Sequence, residues 1–367
     1  MENDASKGRK EGRPFQDQGL RKGRGAQYNP TNPFLKNDYV VEHLEGIDEP
    51  WEQKAATQFF KEFPKTIVNE INSPDLGQGY SMNPYQGCEH GCIYCYARNT
   101  HAYWGLGAGV DFEQKIIVKE NAPEVLRAQL EHPKWVVKPI MLAGNTDCYQ
   151  PIEAKKKITR RLLEVLLQYR HPVSLITKNA LVLRDLDLLS ALHRHRLLHV
   201  NISITTLDEE LRLKLEPRTS TGAKRLQVVR QLSEAGLPVN VMVAPIIPGL
   251  NDHEVPAILE ASAAAGALSA AYTIVRLNGA VGETFEDWIY KAYPDRANKV
   301  LNQIKACHGG TLNDSQFGRR MAGEGRWAET IQALFKVSKH KYFQGRSMPP
   351  YDLTAFTPRT GKQLSMF

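Results

Sequence analysis

From residue 77 onward, short apolar runs alternate with longer stretches in which apolar residues recur every three or four positions. The short runs lie near 78–84 and in VVKPIML (136–142), PVSLITK (172–178), HVNISIT (199–205), VNVMVAP (239–245) and AAYTIVR (270–276). They predict strands. The stretches 121–130, 153–169, 181–194, 208–214, 222–235 and 254–265 predict helices, and Leu162, Leu163, Val165 and Leu166 make an apolar stripe on the second. Pro123, Pro172, Pro238 and Pro256 fall where one element gives way to the next. Thr206 and Glu209 have the spacing of a capping box ahead of LRLKL, and Gly236 follows QVVRQLSEA where a helix-terminating glycine belongs.

Six strand–helix repeats in this order imply an α/β fold with parallel strands and right-handed crossovers. Six units fall short of a closed eight-stranded barrel. The alternatives are an open, partial (β/α)6 TIM-like barrel and a doubly wound sheet. In a barrel layout the C-terminal ends of the strands share one mouth, where chemistry collects. The polar and glycine-bearing segments fall at those ends: GCEHGCIYCYAR, AGNTDCYQPIE, SITTLDEE and APIIPGLND. This core is expected over 76–284. Residues 1–30, with KGRKEGR and LRKGRGAQ, read as a flexible basic arm. Residues 31–75 read as an extension packed on the core, with a short helix around Ala55 to Phe63 and a turn at INSPDLG. Residues 285–367 read as a helical and then irregular extension.

Charge adds little to the fold and something to the partner. The chain has 367 residues, and 47 Lys and Arg against 40 Asp and Glu leave a formal charge of +7. A basic surface favours anionic partners, nucleic acid or small phosphorylated ligands. No apolar run resembles a leader peptide or reaches the length of a membrane span, so a cytoplasmic protein with no membrane partner is expected.

Five cysteines, three of them clustered, are not a secreted disulfide framework. Cys88, Cys92 and Cys95 have the spacing C-x3-C-x2-C on a glycine-bearing loop. Soft thiolates converging this closely select zinc or an iron–sulfur cluster. Structural zinc normally takes four protein ligands. Here the loop offers three, with His90 placed awkwardly inside the first gap and Cys148 and Cys307 far away. An iron–sulfur cluster with three thiolates would keep one iron open.

The same loop, with Tyr94 before the last cysteine and the first predicted strand ahead of it, resembles the radical SAM superfamily. The likeness runs from about residue 75 to 280 and implies the partial (β/α)6 TIM-like barrel of that superfamily, with N- and C-terminal extensions. It implies a [4Fe–4S] cluster on Cys88, Cys92 and Cys95, whose open iron chelates S-adenosyl-L-methionine. It also implies reductive cleavage of that cofactor to methionine and a 5′-deoxyadenosyl radical, with an electron donor such as flavodoxin or ferredoxin. By position it nominates Gly144, Asn145 and Thr146 for the methionine amino group and Ser203 and Thr205 for ribose or carboxylate. Glu216 and Arg218 are nominated beside the carboxylate, and Tyr94, Tyr96, Ile246 and Gly249 around the adenosyl group. The fuller pattern NPYQGCEHGCIYCYARNTHAYWG, NTDCYQPIE, TLDEELRLKLEPR and VMVAPIIPGLND resembles the spore photoproduct lyase-like branch. That resemblance puts Gly144 where the lyase has its hydrogen-donor cysteine. Cys148, four residues on, is then the candidate donor, with Tyr149 as a relay partner and Asp147 to orient substrate; Glu153 is expected to cap a helix.

Two substrate classes remain open, nucleic acid and a small molecule or peptide. The basic arm and Arg319, Arg320 and Arg326 would form an electrostatic track for the first, with Trp327 stacking on a base. A third reading, an iron–sulfur protein that binds nucleic acid without cleaving S-adenosylmethionine, lacks a use for the later mouth segments.

Overall fold

The computed structural model describes residues 19–34, 56–77 and 79–358. Ten strands are present among them: β1 (Gln58–Glu62), β2 (Val68–Glu70), β3 (Tyr80–Met82), β4 (Tyr85–Gln86), β5 (Lys115–Lys119), β6 (Ile140–Leu142), β7 (Val173–Thr177), β8 (Leu198–Ser203), β9 (Val239–Ile246) and β10 (Ser269–Ile274). The main sheet has the order β10-β9-β8-β7-β6-β3-β2. Its strands β3 and β6 to β10 are parallel neighbours, and β2 adds one antiparallel edge. All six expected strands are there, in sequential order. β10 and the β3–β2 edge do not pair with each other, so the barrel is partial and open on one side.

Helices α1 (Val110–Gln114), α2 (Ala122–Leu130), α3 (Glu153–Lys156), α4 (Ile158–Gln168), α5 (Leu186–Arg194), α6 (Glu209–Leu215), α7 (Gly222–Glu234) and α8 (Val255–Ala264) fill the crossovers, and α9 (Ala280–Ala292), α10 (Pro294–Ala306) and α11 (Gly325–Phe343) follow the last strand. The strand faces explain the layering. Val173 and Leu175, Val200 and Ile202, Val239 and Val241 are fully buried in the main core with Leu162, Leu163, Val165 and Leu166 of α4. The alternate positions carry a polar ladder. Asn201 Nδ2 donates to Ser174 Oγ and to the Leu175 carbonyl, each at 3.0 Å, and Asn240 Nδ2 donates to Asn201 Oδ1 at 2.9 Å. Period-two alternation thus gives the sheet one dry face and one hydrogen-bonded face.

Several local expectations change. QFFKE (58–62) is strand β1, paired in parallel with β5, rather than part of a helix around Ala55 to Phe63; two adjacent phenylalanines suit a half-exposed strand better than one helical face. The helix expected over 153–169 breaks at Lys157, which adopts φ 53°, and Glu153 then caps the second piece by accepting from Thr159 N at 3.0 Å. α6 is capped by Asp208, which accepts from Glu210 N and Leu211 N, and not by Thr206, whose hydroxyl goes to Glu254. Gly236 does follow the end of α7, with φ 78°.

The last described segment and the loop before α11 pack on the barrel. His199, near the start of β8, stacks on Tyr351 at 3.9 Å and bonds the Pro349 carbonyl at 2.7 Å, and Asp352 N donates to the Arg196 carbonyl at 3.0 Å. The tail segment therefore closes the end of the barrel opposite the mouth. On the open side, Asp75, just before β3, accepts from Gly318 N and from Arg320, while Ile274 N donates to the Met321 carbonyl at 2.9 Å. The loop between α10 and α11 thus spans the seam. Residues 1–18 of the expected basic arm lie outside the described residues. Residues 19–34 lie against the cysteine loop, with Gly25, Ala26 and Gln27 buried, so this part is packed chain and not a free arm.

Candidate active site

The cysteine loop leaves β4 through Gly87, which adopts φ 79°. A Cβ there would meet the Phe112 and Lys115 carbonyls at 3.0 Å, so only glycine passes. Cys88 N donates to the Phe112 carbonyl at 2.9 Å, Gly91 turns the chain again at φ 69°, and Cys95 opens the 3-10 helix Tyr96–Trp104. All three thiols are free. Burial pushes each of them up; for Cys88 the neighbouring Asp147, Cys92 and Cys95 add to it, and for Cys92 so does Glu216. Protons must leave these sulfurs when a metal binds.

The loop histidine is engaged elsewhere. Asn179 Oδ1 accepts from Leu181 N, which turns its amide group toward His90 Nε2 at 3.1 Å. His90 Nδ1 therefore carries the proton and faces Asp147 Oδ2 at 3.3 Å. Asp147 also accepts from Thr177 Oγ1, Lys178 N and Tyr149 N. Burial raises its pKa, and His90 with these donors more than offsets that, holding Asp147 below the ordinary range.

Beneath the loop lies a buried charge network. Glu216, fully enclosed, accepts from Arg225, Tyr94 and Thr205, the last at 2.6 Å, with Lys178 Nζ at 3.7 Å. Burial opposes its charge, and Arg225 and Lys178 nonetheless keep it ionised well below the usual glutamate range. Lys178 Nζ lies 5.8 Å from the centre of the Tyr94 ring and bears electrostatically on Cys92 and Cys95. A partly exposed cation therefore stands beside the cysteines on the mouth side. It ends the run PVSLITK, a signal visible in the sequence as a lysine at a strand's C-terminal end.

The residues nominated from the sequence divide sharply. Tyr96 is half-exposed at the mouth, and its hydroxyl donates to the Gly144 carbonyl. Asn145 joins them, bonding Asn83, Gln86 and Thr100. Thr146 is buried and donates to the Tyr85 carbonyl at 2.7 Å. Thr205 belongs to the Glu216 network, and Ser203 offers its carbonyl to Arg225 at 3.0 Å. Arg218 is half-buried, and its backbone N donates to the His90 carbonyl at 3.2 Å. Ile246 is fully buried in the main core and presents no open face. Gly249, at φ 78°, makes the turn in which Asn251 ties the loop to the Thr205 and Pro245 carbonyls.

Two residues nominated for the chemistry, Cys148 and Tyr149, lie in the core. Cys148 is completely buried, with its sulfur 3.9 Å from the Leu142 and Ile176 carbonyls, and it packs in the core among strand and helix side chains. Tyr149 is also fully buried and donates to Asp185 at 3.0 Å under the Arg184 guanidinium. The sharp turn at Asp147 sends both away from the mouth. Arg319 and Arg320 are likewise engaged, with Asp314 and Glu324 and with Asp75, so they hold a loop together and do not form a free basic track. Arg276, two residues past β10, was not nominated, although like Lys178 it ends a predicted strand, AAYTIVR. It is half-buried beside Tyr96 and has no hydrogen bond or ion pair among the described residues. Arg98 and Glu113, a buried pair behind the cysteines, were also missed.

The cysteine set suits a cluster. Three soft thiols sit on one short loop, His90 is engaged with Asp147 and Asn179, and Cys148 faces the core. The radical SAM superfamily profile matches residues 82–261. An uncharacterised protein of Mycobacterium tuberculosis is 34% identical over 238 residues, 64% of this chain and 70% of that one. This chain belongs to the radical SAM superfamily. Another relative, an uncharacterised protein of Methanocaldococcus jannaschii, is 32% identical over 190 residues, covering 52% of this chain and 68% of its own. Among solved structures, spore photoproduct lyase complexed with dinucleoside spore photoproduct superposes with a TM-score of 0.59 at 17% identity, covering 83% of this chain and 86% of the lyase. That likeness shows the shared fold. As a radical SAM enzyme the protein uses a [4Fe–4S] cluster and S-adenosylmethionine. No helix among the described residues is long and apolar enough to cross a membrane.

Proposed function

We propose that this radical SAM enzyme abstracts hydrogen from a nucleic-acid substrate carrying a modified or damaged base. Cys88, Cys92 and Cys95 hold the cluster, and Tyr96, Gly144 and Asn145 line the cofactor's side of the mouth. Lys178 supplies the cation next to the cluster, with Arg218 nearby. The cluster, reduced by a donor such as flavodoxin or ferredoxin, supplies the electron that cleaves S-adenosylmethionine. The protein's own work is placement and exclusion of water. Asp147 holds the cysteine loop through His90, and Glu216 holds Tyr94 and Lys178.

The observation that carries the substrate class is Arg276. A half-buried guanidinium with no hydrogen bond or ion pair of its own among the described residues stands at the mouth, within electrostatic reach of Tyr96, Asp75 and Asp314; those two carboxylates are already bonded to Arg320 and Arg319, and the Arg276 group suits a phosphate. Exposed aromatic rings lie farther along the 3-10 helix that Tyr96 begins. Tyr103 is 75% exposed and stacks on Phe34 at 4.9 Å, and Trp104 is 44% exposed. Cations with stacking surfaces are what single-stranded or flipped-out nucleotides require. The fold-level neighbour bound to a dinucleoside lesion agrees with this class.

The test is anaerobic. The reconstituted, reduced protein is given S-adenosylmethionine with and without lesion-bearing oligonucleotides, and 5′-deoxyadenosine is measured. Oligonucleotide should raise product formation, Cys92→Ser should abolish it, and Arg276→Gln should weaken oligonucleotide retention and flatten its salt dependence. Stimulation by a phosphate-free peptide or metabolite instead would move the assignment to small-molecule or peptide modification. Oligonucleotide binding with no cofactor cleavage under any condition would leave a binding protein.

A further inference from the structure

Behind the cysteine loop, on the side away from the mouth, the chain places a buried ion pair that the reaction outlined above does not use. Arg98 is completely enclosed. Its Nε and Nη2 donate to the Cys92 carbonyl at 3.1 and 2.9 Å, and Nη1 donates to the Gly109 carbonyl at 2.9 Å. Its Nη2 also meets Glu113 Oε1 at 2.6 Å. Glu113, equally enclosed, accepts two further hydrogen bonds from the N-terminal segment: Ala26 N on Oε1 at 2.7 Å and Gly25 N on Oε2 at 3.3 Å.

That segment is seated by backbone-to-backbone contact. A Cβ at Gly25 would lie 1.8 Å from the Gly91 carbonyl oxygen, and a Cβ at Gly109 would lie 1.7 Å from the Tyr28 carbonyl oxygen. Asn32 Nδ2 extends the contact to the Ala102 and Leu106 carbonyls. No side chain separates the segment from the cysteine loop at Gly91. It therefore walls Glu113 off from water directly behind the Cys92 peptide.

A buried arginine bonded to the carbonyl of a cluster ligand has two effects. It fixes the peptide that carries the sulfur, and its positive charge favours the reduced cluster. Net charge and solvent exposure are among the main controls of cluster potential. Glu113 cancels the charge while leaving the geometry in place.

We propose that Arg98 and Glu113 are a charge-balanced positioning pair for the cluster, and that Gly25 and Ala26 seal it, making residues 19–34 part of the cluster's wall. The proposal rests on the assignment of Cys88, Cys92 and Cys95 as cluster ligands. It makes Glu113 and Arg98 positioning residues, acting through the Cys92 peptide.

The decisive measurement is the midpoint potential of the reconstituted full-length holoprotein, by redox titration followed by electron paramagnetic resonance. Glu113→Gln keeps the size and removes the negative charge, so the potential should move positive. Arg98→Gln combined with Glu113→Gln is again neutral, so the potential should return toward wild type although the ion pair is gone. General loosening of the loop would carry the double variant further in the same direction as the single one. An unchanged potential in iron-replete Glu113→Gln, or no return in the double variant, overturns the proposal.

Should Glu113→Gln not retain iron, the strap is read separately. Gly25→Val forces the segment off Gly91 and should speed iron release to a chelator by roughly tenfold, as expected for losing hydrogen bonds to a charged group. Gly19→Val, where the added atom meets nothing within 4 Å, should match wild type. Equal release from Gly25→Val and Gly19→Val overturns the sealing role. Retention of a normal cluster by Cys92→Ser would instead overturn the ligand assignment on which the proposal rests.

Discussion

Glu216→Gln is the sharpest test of the charge network under the cluster loop. Glu216 is fully buried and Arg225 is 1% exposed. Arg225 bonds the Ser203 and Ser220 carbonyls at 3.0 and 2.8 Å and Thr219 at 2.6 Å, but its only carboxylate partner among the described residues is Glu216. Glutamine preserves the shape and the contacts to Tyr94 and Thr205 while leaving the guanidinium uncompensated. Removing one partner of a buried pair costs about 3–5 kcal/mol, a large share of the roughly 5–15 kcal/mol that holds a typical protein folded. The assay is urea unfolding of the metal-free protein, with the slope checked for constancy. The pH dependence supplies a second criterion. Glu216 has a folded pKa depressed below its ordinary 4.5, so its contribution is complete above that value and is lost as pH falls through the folded pKa. The gap between wild type and variant should therefore be widest near neutrality and narrow in acid. Replacing Arg225 with methionine in the variant should recover part of the loss. A cost below about 1 kcal/mol, with a gap that does not change with pH, would show that the pair is not acting as a buried, mutually dependent unit.

Three further outcomes follow from the same packing. Cys148→Ala should cost roughly 1 kcal/mol as a small buried truncation and leave 5′-deoxyadenosine formation intact; loss of product with cluster and cofactor binding preserved would restore the thiol to the chemistry. His171, which bonds Trp135 and the Pro172 carbonyl, is lowered by burial to about 4 from 6.5, so its stabilisation is complete above 6.5 and is lost as pH falls toward 4. His171→Gln should flatten that slope, worth about 3 kcal/mol in full, and equal acid sensitivity in both proteins would contradict it. Asp75→Asn should speed amide exchange in residues 313–323, because Gly318 and Arg320 both lean on that carboxylate across the seam; unchanged exchange would mean that the loop is held by other contacts.

The order of parallel strands and the three-thiol loop were legible along the chain, because each is a local matter; the choice of an open barrel over a doubly wound sheet came only with the radical SAM resemblance. Alternation along PVSLITK and VNVMVAP reports a strand whatever it packs on, and C-x3-C-x2-C on glycines reports a metal site from spacing alone. Direction was not legible. Cys148 follows Asp147 by one residue, yet the turn that lets Asp147 meet His90 sends Cys148 into the core. Arg320 reads as free charge until Asp75, some 245 residues earlier, is set beside it, while Arg319 turns back on Asp314 of its own loop. The pair of Arg98 with Glu113, and its cover from Gly25 and Ala26, join segments almost ninety residues apart. A linear pattern records what each residue is and how often its type recurs. Which groups share a buried site depends on where the chain returns after long separations, and that is settled by packing and by the need to pair every buried charge.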